Sequence, residues 1–477
     1  MKRTLVLFLT ILTAGVTANA QTQPFKTGDR IAFVGNSITE QGYYESYIWL
    51  YYMLHFPHRR ITIFNRGIGG DVAKQIDERF ADDVLTANPT VICLTFGMND
   101  SGYYEFLSAN ADSAAKAHIS TSRHYFALIE EKLKKLPNVR KVMIASSLYD
   151  ETMKIKGNYF PGKSKAMEQI IDFQGQAAKD NHWGWVDFFH PMTAITLEQQ
   201  KTDSAFTLTG NDRIHPGNSG HFVMAWLFLK AQGLDTLPVA DMSIDAGRLR
   251  ADREANCRIT NLTTLTGGKG SPGSAGGSAA AGTGLRFDYL ASSLPYPVDT
   301  VPRLSGNPHR QSEAIGLIPF YSSFNREMLR ITNLAQGNYE LIIDSRKIGS
   351  WTAAELGQGI NLAKLTNTPE YDQAMSVLQL NEERMALESK LRAYYWLQFD
   401  YLRDIGLKFK DGDATSDSVN SAATKNWAVA SKRDNYRAAR YPAVRAAWQK
   451  EMDLLINEIY TVNQPKTHLI EIKKISE

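Results

Sequence analysis

The sequence is poor in cysteine, in net charge and in the motifs that bind metals or nucleotides. Its 477 residues include two cysteines, Cys93 and Cys257, which we expect to be buried free thiols and not a disulfide. The formal net charge of +3 argues against a protein that holds nucleic acid by neutralising phosphates. No H-E-x-x-H, paired-cysteine, EF-hand or G-x-G-x-x-G motif is present, so we expect neither a metal nor any other cofactor.

Long apolar runs are also missing beyond the first 20 residues. Residues 1–20 combine Lys2 and Arg3, an apolar stretch too short to span a bilayer, and the small residues Ala18 and Ala20. This pattern is typical of a cleaved signal peptide. We therefore expect a protein without a membrane span, exported to the periplasm or secreted.

Residues 31–233 alternate short apolar runs with amphipathic stretches. Because most of the runs are apolar on both faces, they predict buried parallel strands covered by helices on both sides, an α/β fold. The predicted strands are 31–35, 61–65, 91–96, 142–146 and 183–188. The predicted helices are 71–85, 111–136, 163–180 and one that follows Pro216. We assign residues 21–237 to this first domain.

After residue 237 the pattern changes, and residues 238–477 are predicted to form a β-rich accessory module with a helical insertion. The predicted strands are 257–265, 285–290, 328–332, 339–344 and 468–475. Long helices are predicted within the insertion, residues 369–462, at 369–402 and 442–462. The polar segment 408–425 is expected to loop out, and the Gly/Ser/Ala tract 267–284 to be a flexible loop.

Polar residues gather at the carboxyl ends of the predicted strands, where an open α/β sheet binds ligands. Ser37 follows the first strand, the glycine run ending at Gly70 follows the second, and Asn99 follows the third. The loop before the last helix carries Asp212 and, three residues later, His215. The sequence therefore predicts one polar site at one edge of the sheet.

Acyl transfer to a serine is the chemistry that fits these residues. The Ser37 hydroxyl needs a neighbouring base, which His215 can supply while Asp212 orients the imidazole ring. A tetrahedral intermediate also needs hydrogen-bond donors for its oxyanion. The backbone N–H groups of Ser37 and Gly70 and the side-chain amide of Asn99 are the predicted donors.

With these residues the chain resembles the SGNH hydrolases, also called GDSL-type esterases. The family has a serine after strand one, a glycine after strand two, an asparagine in G-x-N-D and a histidine in D-x-x-H. Here these positions are Ser37, Gly70, Asn99 and His215, in that order. The resemblance covers residues 28–233 and implies a flavodoxin-like three-layer sheet and a cofactor-independent serine esterase.

One residue departs from the family pattern, because Asn36 stands where an aspartate usually precedes the serine. We expect Asn36 to keep the hydrogen bonds of that aspartate without its charge. The G-x-S-x-G elbow of the α/β-hydrolases is absent around Ser37, which argues against that other family of serine esterases.

Residues that flank the motifs have both a substrate-binding and a structural interpretation. Glu40, Tyr43, Tyr44 and Tyr103 are candidate substrate contacts, although tyrosines beside a cleft are as often packing residues. Tyr104 also flanks the third motif and has the same two interpretations. Three others are expected to be structural or surface residues: Asp71 as a helix N-cap, Asp100 as a hydrogen-bonding residue and His221 as a packed or surface histidine.

The sequence thus predicts an exported carboxylic ester hydrolase that removes O-acetyl groups from oligo- or polysaccharides, a substrate class implied by the resemblance. A lipase or thioesterase with the same machinery, and a non-catalytic glycan-binding protein that retains the fold, remain alternatives. Because only neutral imidazole accepts the Ser37 proton, activity is expected to fall as His215 becomes protonated. Acyl specificity and oligomeric state stay open.

Overall fold

The computed structural model describes residues 22–265, 284–301 and 309–475 of the chain. The predicted signal peptide, and the predicted flexible loop up to residue 283, lie outside the described residues. The strands are β1 Arg30–Gly35, β2 Thr62–Gly67, β3 Val91–Phe96, β4 Arg140–Ala145, β5 Gly184–Asp187, β6 Ala240–Asp245, β7 Arg250–Ala255, β8 Cys257–Leu265, β9 Gly284–Ala291, β10 Glu327–Thr332, β11 Asn338–Ile343, β12 Arg346–Thr352, β13 Ile360–Asn361 and β14 Thr467–Lys474. The helices are α1 Ser37–Glu40, α2 Tyr43–His55, α3 Ala73–Glu78, α4 Ala111–Lys134, α5 Lys163–Asp180, α6 Phe189–Gln199, α7 Asn218–Ala231, α8 Gln311–Ala314, α9 Phe320–Ser323, α10 Ala353–Gln358, α11 Pro369–Phe399, α12 Tyr401–Asp404, α13 Asp413–Ala423, α14 Trp427–Ala439 and α15 Pro442–Val462.

Five parallel strands form the sheet of the first half of the chain, in the order β2-β1-β3-β4-β5. This is the flavodoxin-like order that the family resemblance implied. β3 is buried along its whole length, as the all-apolar sequence of a covered parallel strand requires. α2 packs against α7, whereas α3, α4 and α5 form a contiguous row. Right-handed crossovers place that row on the opposite face of the sheet.

Two helices of this half differ from the sequence prediction. The helix expected over residues 71–85 ends at Glu78 and is followed by a π-helical turn, Phe80–Val84. This interruption lies at Arg79, whose buried guanidinium is taken up in ion pairs with Asp71 and Asp83. α2 was not predicted, because its residues from Tyr44 to His55 are all buried and its sequence therefore has no polar stripe.

Two further sheets make up the β-rich part of the chain, with strand orders β13-β10-β6-β7 and β12-β11-β14-β9-β8. The C-terminal strand β14 lies between β11 and β9, so the prediction that the chain end rejoins the β-rich module is confirmed. Side chains of both sheets, among them Met242, Leu329 and Phe287, pack into one apolar core. β6, β7 and β12 were not predicted from the sequence.

The helices α11 to α15 form what we call the helical region, residues 369–462. α11 begins with Pro369 in its first turn, and its 31 residues make it about 46 Å long. It packs against α2, α14 and α15. The segment 408–425 does not loop out as predicted, because α13 lies within it and buries Thr415 and Val419, four residues apart on one face.

Both cysteines are free thiols, as expected. Cys93 is buried in β3, whereas Cys257 is only partly buried, so the expectation of burial is wrong for the second one. Within the described ranges, no helix has the length and apolar character needed to cross a membrane. The same residues contain no group of three or more His, Cys, Asp or Glu side chains arranged to hold a metal ion.

Candidate active site

Ser37 is the first residue of α1, immediately beyond the carboxyl end of β1. Asn36 is the N-cap of this helix, and its Oδ1 accepts a hydrogen bond from the N–H of Ile38 at 3.1 Å. Asparagine therefore supplies the capping hydrogen bond and places no charge beside the serine. That Asn36 makes all the hydrogen bonds of the family's aspartate stays a prediction.

His215 lies in the loop before α7, and its Nε2 is 2.8 Å from the Ser37 Oγ. Its Nδ1 is 2.5 Å from the Asp212 Oδ2. The other oxygen of Asp212 accepts the backbone N–H groups of Ile214 and His215, each at 3.0 Å. With the D-x-x-H spacing, the Asp212 side chain thus forms a turn with the backbone that follows it. This turn presents the carboxylate and the imidazole from one short loop.

Arg213, within the same turn, anchors this loop. Its backbone has φ +65°, a left-handed conformation that costs a non-glycine residue about 1–2 kcal/mol. The buried guanidinium donates hydrogen bonds to the carbonyl oxygens of Asp150, Ile155 and Gly157 at 2.6 to 3.0 Å. These three bonds offset the backbone strain and hold the loop over the site.

The carboxylate of Asp212 is kept ionised by its neighbours. Burial by itself would raise the pKa of Asp212, but the hydrogen bonds and charge of His215 and the N–H of Ile214 outweigh it and hold the pKa below its ordinary value. An ionised Asp212 favours the imidazole tautomer with its proton on Nδ1. Nε2 is then free to accept the proton of Ser37.

The predicted oxyanion donors are the N–H groups of Ser37 and Gly70 and the side-chain amide of Asn99. Gly70 has φ +89°, which suits glycine and is strained for other residues. Among the described residues, neither the N–H of Ser37 nor that of Gly70 has a hydrogen-bond acceptor. The Asn99 amide donates one of its two hydrogens to the Asp71 carbonyl at 2.9 Å, which leaves the other available.

Residues 97–103, which we call the asparagine loop, fix the Asn99 amide from both sides. The Tyr103 hydroxyl donates to the Asn99 Oδ1 at 2.6 Å, and this bond determines which end of the amide carries the donors. Asp100 accepts the N–H groups of Gly97 and Ala73 and the hydroxyl of Ser122, at 2.7 to 3.0 Å. Asp100 is therefore the structural residue that the sequence predicted.

Lys163, at the start of α5, lies buried beneath the asparagine loop. Its Nζ donates to the carbonyl oxygens of Met98 and Gly102 and to the Ser101 hydroxyl, at 2.5 to 2.6 Å. It also lies 3.8 Å from the ring centroid of Tyr103. Burial lowers the pKa of Lys163 to about 7, and the negative charges of Asp100 and Glu105 oppose this shift.

Residues 67–71, which we call the glycine loop, comprise the last residue of β2 and the four residues after it, and they include Gly70. Glu40, a predicted substrate contact, is bound to this loop, because its Oε2 accepts the N–H of Gly69 at 2.5 Å. Its Oε1 pairs with Lys432 of α14 at 2.8 Å. Each carboxylate oxygen is thus bound by a protein group, and the substrate role of Glu40 stays a prediction.

The tyrosines near the motifs have different environments. Tyr44 is fully buried and its hydroxyl is 3.0 Å from the Thr39 Oγ1, so it is not accessible to a substrate. Tyr43 lines a cavity of about 300 Å³ between α2 and α11, and its substrate role stays a prediction. Tyr103 contacts Asn99, as described, and the Tyr104 side chain is 75% exposed.

Two other predictions concern Asp71 and His221. Asp71 is not an N-cap, because Val72 occupies that position and the Asp71 carboxylate pairs with Arg79 at 2.6 Å. His221 is a packed histidine, as expected: it is fully buried and its Nε2 is 2.8 Å from the Gln41 Oε1. Its burial lowers the pKa of His221 to about 3, with a smaller effect from His215.

Comparison with known proteins identifies relatives of both halves of the chain. Residues 33–222 match the GDSL-like Lipase/Acylhydrolase family, and residues 375–464 match the Diltiazem deacetylase C-terminal helical domain. A solved structure of a gut microbial diltiazem-metabolizing enzyme is 42% identical and has a TM-score of 0.90, with 95% of this chain and 99% of that chain covered. The acetylxylan esterase of Geobacillus stearothermophilus is 23% identical over 224 residues, which are 44% of this chain and 96% of the relative.

The protein therefore belongs to the GDSL-like lipase/acylhydrolase family, the SGNH hydrolases, as its sequence motifs indicated. It is a carboxylic ester hydrolase whose catalytic fold is followed by a C-terminal helical domain.

Several residues around the site were not predicted. Lys163 contacts the asparagine loop, Trp396 contacts the glycine loop and Lys432 contacts Glu40 of α1. None of the three lies in a motif or follows a strand of the sheet. An isolated lysine or tryptophan on a helix gives no sequence signal of such a contact. The hydrogen-bond partner of Tyr103 was also not predicted, because only the folded loop shows that its hydroxyl reaches Asn99.

Proposed function

We propose that this esterase is an exported serine hydrolase that removes O-acetyl groups, with acetylated carbohydrates as its substrates. The observation that carries the proposal is the contact of the Ser37 Oγ with the His215 Nε2 at 2.8 Å, with Asp212 on the opposite nitrogen. This arrangement supports a catalytic role for the three residues and argues against a glycan-binding protein without activity.

In the first step, the Ser37 Oγ attacks the ester carbonyl carbon and its proton passes to the His215 Nε2. The carbonyl oxygen becomes an oxyanion and is stabilised by the N–H groups of Ser37 and Gly70 and by the Asn99 amide. The intermediate then collapses, the bond to the alcohol oxygen breaks, and His215 returns the proton to the departing alcohol. An acetyl group remains on Ser37.

In the second step, water attacks the acetyl carbonyl while its proton passes to the His215 Nε2. The same three donors stabilise the second oxyanion. Collapse of this intermediate breaks the bond to the Ser37 Oγ, which takes the proton back from His215, and acetate leaves. Asp212 stabilises the imidazolium in both steps, and the proton balance requires no cofactor.

The choice of acetyl esters rests on the relatives. One relative is an acetylxylan esterase and another is a diltiazem-metabolizing enzyme, and residues 375–464 of this chain match the Diltiazem deacetylase C-terminal helical domain. Both descriptions concern acetyl esters, of a polysaccharide and of a small molecule. The predicted signal peptide adds access to polysaccharides outside the cytoplasm, which favours carbohydrate as the first substrate class.

A second candidate function is deacetylation of small aromatic or alkyl acetates such as diltiazem. It is favoured by the 42% identity to the diltiazem-metabolizing enzyme over nearly the whole chain, which includes the helical region. The two candidates share mechanism and acyl group and differ only in the alcohol. A lipase activity would instead require turnover of long acyl chains, and a thioesterase activity would require turnover of thioesters.

Acetate release tests the proposal. We expect the protein to release acetate from acetylated xylan or sugar acetates, to be labelled by a fluorophosphonate, and to lose both properties in Ser37→Ala. Activity retained by a folded Ser37→Ala variant would overturn the mechanism. Faster hydrolysis of long-chain than of short-chain nitrophenyl esters would overturn the acetyl specificity, and faster hydrolysis of diltiazem than of sugar acetates would favour the second candidate.

Export is tested separately. Expression in a bacterial host followed by N-terminal sequencing of the purified protein is expected to give Gln21 as the first residue. A cytoplasmic product that retains Met1 would contradict the proposed export without affecting the proposed reaction.

A further inference from the structure

The glycine loop is packed into the helical region and not only against its own sheet. Ile68, at the second position of this loop, is fully buried in an apolar core that includes Trp396, Val429 and Tyr436 of α11 and α14. Ile68, two positions before Gly70, is therefore part of the core of the helical region, which begins about 300 positions later in the chain. Any movement of that core moves the loop.

Both backbone polar groups of Gly69 are bound by side chains. Its N–H donates to Glu40, and its carbonyl oxygen accepts the indole Nε1–H of Trp396 at 3.0 Å. A Cβ at this position would lie 2.6 Å from the Glu40 Oε2 and 3.3 Å from the Trp396 Nε1, so only glycine permits this approach. Gly67 is held in the same way, because Arg392 of α11 donates to its carbonyl oxygen at 3.1 and 3.2 Å.

The bond from Trp396 bears directly on the proposed oxyanion donor. The carbonyl of Gly69 and the N–H of Gly70 belong to one planar trans peptide group and point in opposite directions. A donor fixed on the Gly69 oxygen therefore fixes the direction of the Gly70 N–H on the other side. The same bond also polarises the peptide and strengthens the Gly70 N–H as a donor.

Glu40 joins this peptide to the nucleophile. It is the last residue of α1, the short helix that begins with Ser37, so its bond to Gly69 sets the distance between the serine and the glycine loop. Lys432 of α14 neutralises the other carboxylate oxygen, and its side chain and that of Glu40 are 25% and 12% exposed. The pair thus connects the helical region to both the nucleophile and the donor.

We propose that Trp396 and the Lys432–Glu40 pair are positioning residues that hold the Gly70 N–H in the direction of the oxyanion. The helical region is then a working part of the active site and not only an accessory module. This inference rests on the proposed function, because it takes Gly70 as an oxyanion donor. The three residues act through the loop and do not touch the substrate.

Trp396→Phe tests this inference, because phenylalanine keeps most of the buried ring and removes the Nε1–H donor. We expect kcat to fall about tenfold with KM within twofold, since a misdirected donor weakens transition-state stabilisation and not ground-state binding. The rate of phosphonylation by a fluorophosphonate is expected to fall by a similar factor. Trp427→Phe is the matched control, because Trp427 lies in the same region and is 82% exposed.

Lys432→Met tests the same inference at a more exposed position, in case Trp396→Phe does not fold. We expect it to lower kcat about threefold to tenfold, Lys432→Arg to restore most of the loss, and Lys425→Met, at an exposed lysine, to have no effect. Circular dichroism and thermal unfolding establish that each compared variant is folded.

The outcomes separate the two proposals. If Ser37→Ala abolishes activity but folded Trp396→Phe and Lys432→Met keep wild-type kcat, the positioning role is wrong and the proposed mechanism stands. A raised KM with unchanged kcat would also overturn the positioning role, because it would indicate a substrate contact. If Ser37→Ala stays active, the proposed mechanism itself is wrong.

Discussion

The glycine loop and the asparagine loop each carry one of the proposed oxyanion donors, but different parts of the chain hold them. The asparagine loop is fixed by nearby residues, among them Lys163, which lies 61 to 65 positions from the backbone and side-chain atoms it binds. The glycine loop is fixed from α11 and α14, with Trp396 327 positions from its partner Gly69. One loop is supported within the catalytic fold, and the other from outside it.

Because the supports differ, substitutions in different parts of the chain are expected to displace the Asn99 amide and the Gly70 N–H. A change within the catalytic fold reaches Asn99 through Tyr103 or Lys163, whereas a change in the helical region reaches Gly70 through Trp396 or Glu40. If the two supports are independent, their variants should have additive effects on the activation free energy. Four predictions test this comparison, from the largest expected effect to the smallest.

The largest effect is expected from Asp83, which lies beneath the glycine loop. Its carboxylate pairs with the buried guanidinium groups of Arg79 and Arg392 at 2.5 to 3.0 Å, and Arg392 also binds the Gly67 carbonyl. Asp83→Asn leaves the arginines without this anion and should lower the free energy of unfolding by about 3–5 kcal/mol. Urea unfolding measures this change.

Asp82→Asn is the control for Asp83→Asn, because the neighbouring carboxylate is half exposed and pairs with Lys408 at the surface. Its effect should be below about 1 kcal/mol. Equal stability of the two variants would show that the glycine loop does not depend on the buried ion pairs.

Asn99→Ala removes the donor of the asparagine loop itself. We expect kcat to fall about 10²–10³-fold, or about 2.7–4 kcal/mol of activation free energy, with little change in KM. Steady-state kinetics on a short-chain nitrophenyl ester measures it, with the exposed Asn110→Ala as the control. A change confined to KM would indicate that Asn99 binds the substrate in its ground state.

Lys163 provides a pH-dependent test of the asparagine loop. Because burial lowers the pKa of Lys163 to about 7, the unfolded chain binds more protons than the folded one between pH 7 and the ordinary lysine pKa. The free energy of unfolding should therefore gain a contribution on the order of 1–4 kcal/mol as pH rises through this range, and none from this group below pH 7.

Urea unfolding at pH 7 to 10 measures the slope of the free energy of unfolding against pH in the wild type and in two variants. Lys163→Met should reduce the slope, whereas Lys165→Met, at an exposed lysine of the same helix, should leave it unchanged. The same slope in the wild type and Lys163→Met would mean that the three acceptors around Nζ hold its pKa at the ordinary value.

The smallest effect is expected from Tyr103→Phe, which removes the hydroxyl that donates to the Asn99 Oδ1. We expect a loss of about 1 kcal/mol of transition-state stabilisation, or about fivefold to tenfold in kcat. Tyr104→Phe is the control, because its side chain is 75% exposed. The change in activation free energy of the double variant Tyr103→Phe/Trp396→Phe is compared with the sum of the changes of the two single variants. If the two values differ by well above about 0.5 kcal/mol, the two loops are coupled and the comparison fails.

The parallel sheet could be predicted from the sequence because its strands are short apolar runs followed by glycine or polar residues. β3 was predicted with its observed bounds, and the other four strands to within two residues. α2 was not predicted, because burial on every side removes the periodicity by which a helix is recognised. α13 was not predicted because it buries only Thr415 and Val419, too few residues to give an apolar stripe at helical spacing.

The contact of His215 with Ser37 and of Asp212 with His215 was also indicated by the sequence, since Ser37 follows a strand and the other two lie in the last loop. The contacts of Glu40 and Asp71 were not. Glu40 was interpreted as a substrate contact because it lies three residues from Ser37, whereas its partners are Gly69 and Lys432. Asp71 was interpreted as a helix cap because it precedes α3, whereas it pairs with Arg79.

The sequence by itself determined the family, the parallel sheet and the residue types that meet at its carboxyl edge. These follow from local patterns, because hydrophobic periodicity and short motifs are set by neighbours in the chain. Only the tertiary structure decided that the helical region holds the glycine loop directly through Trp396 and Arg392, and through Lys432 by way of Glu40. A hydrogen bond between residues more than 300 positions apart depends on how helices pack, and packing leaves no pattern in either segment alone.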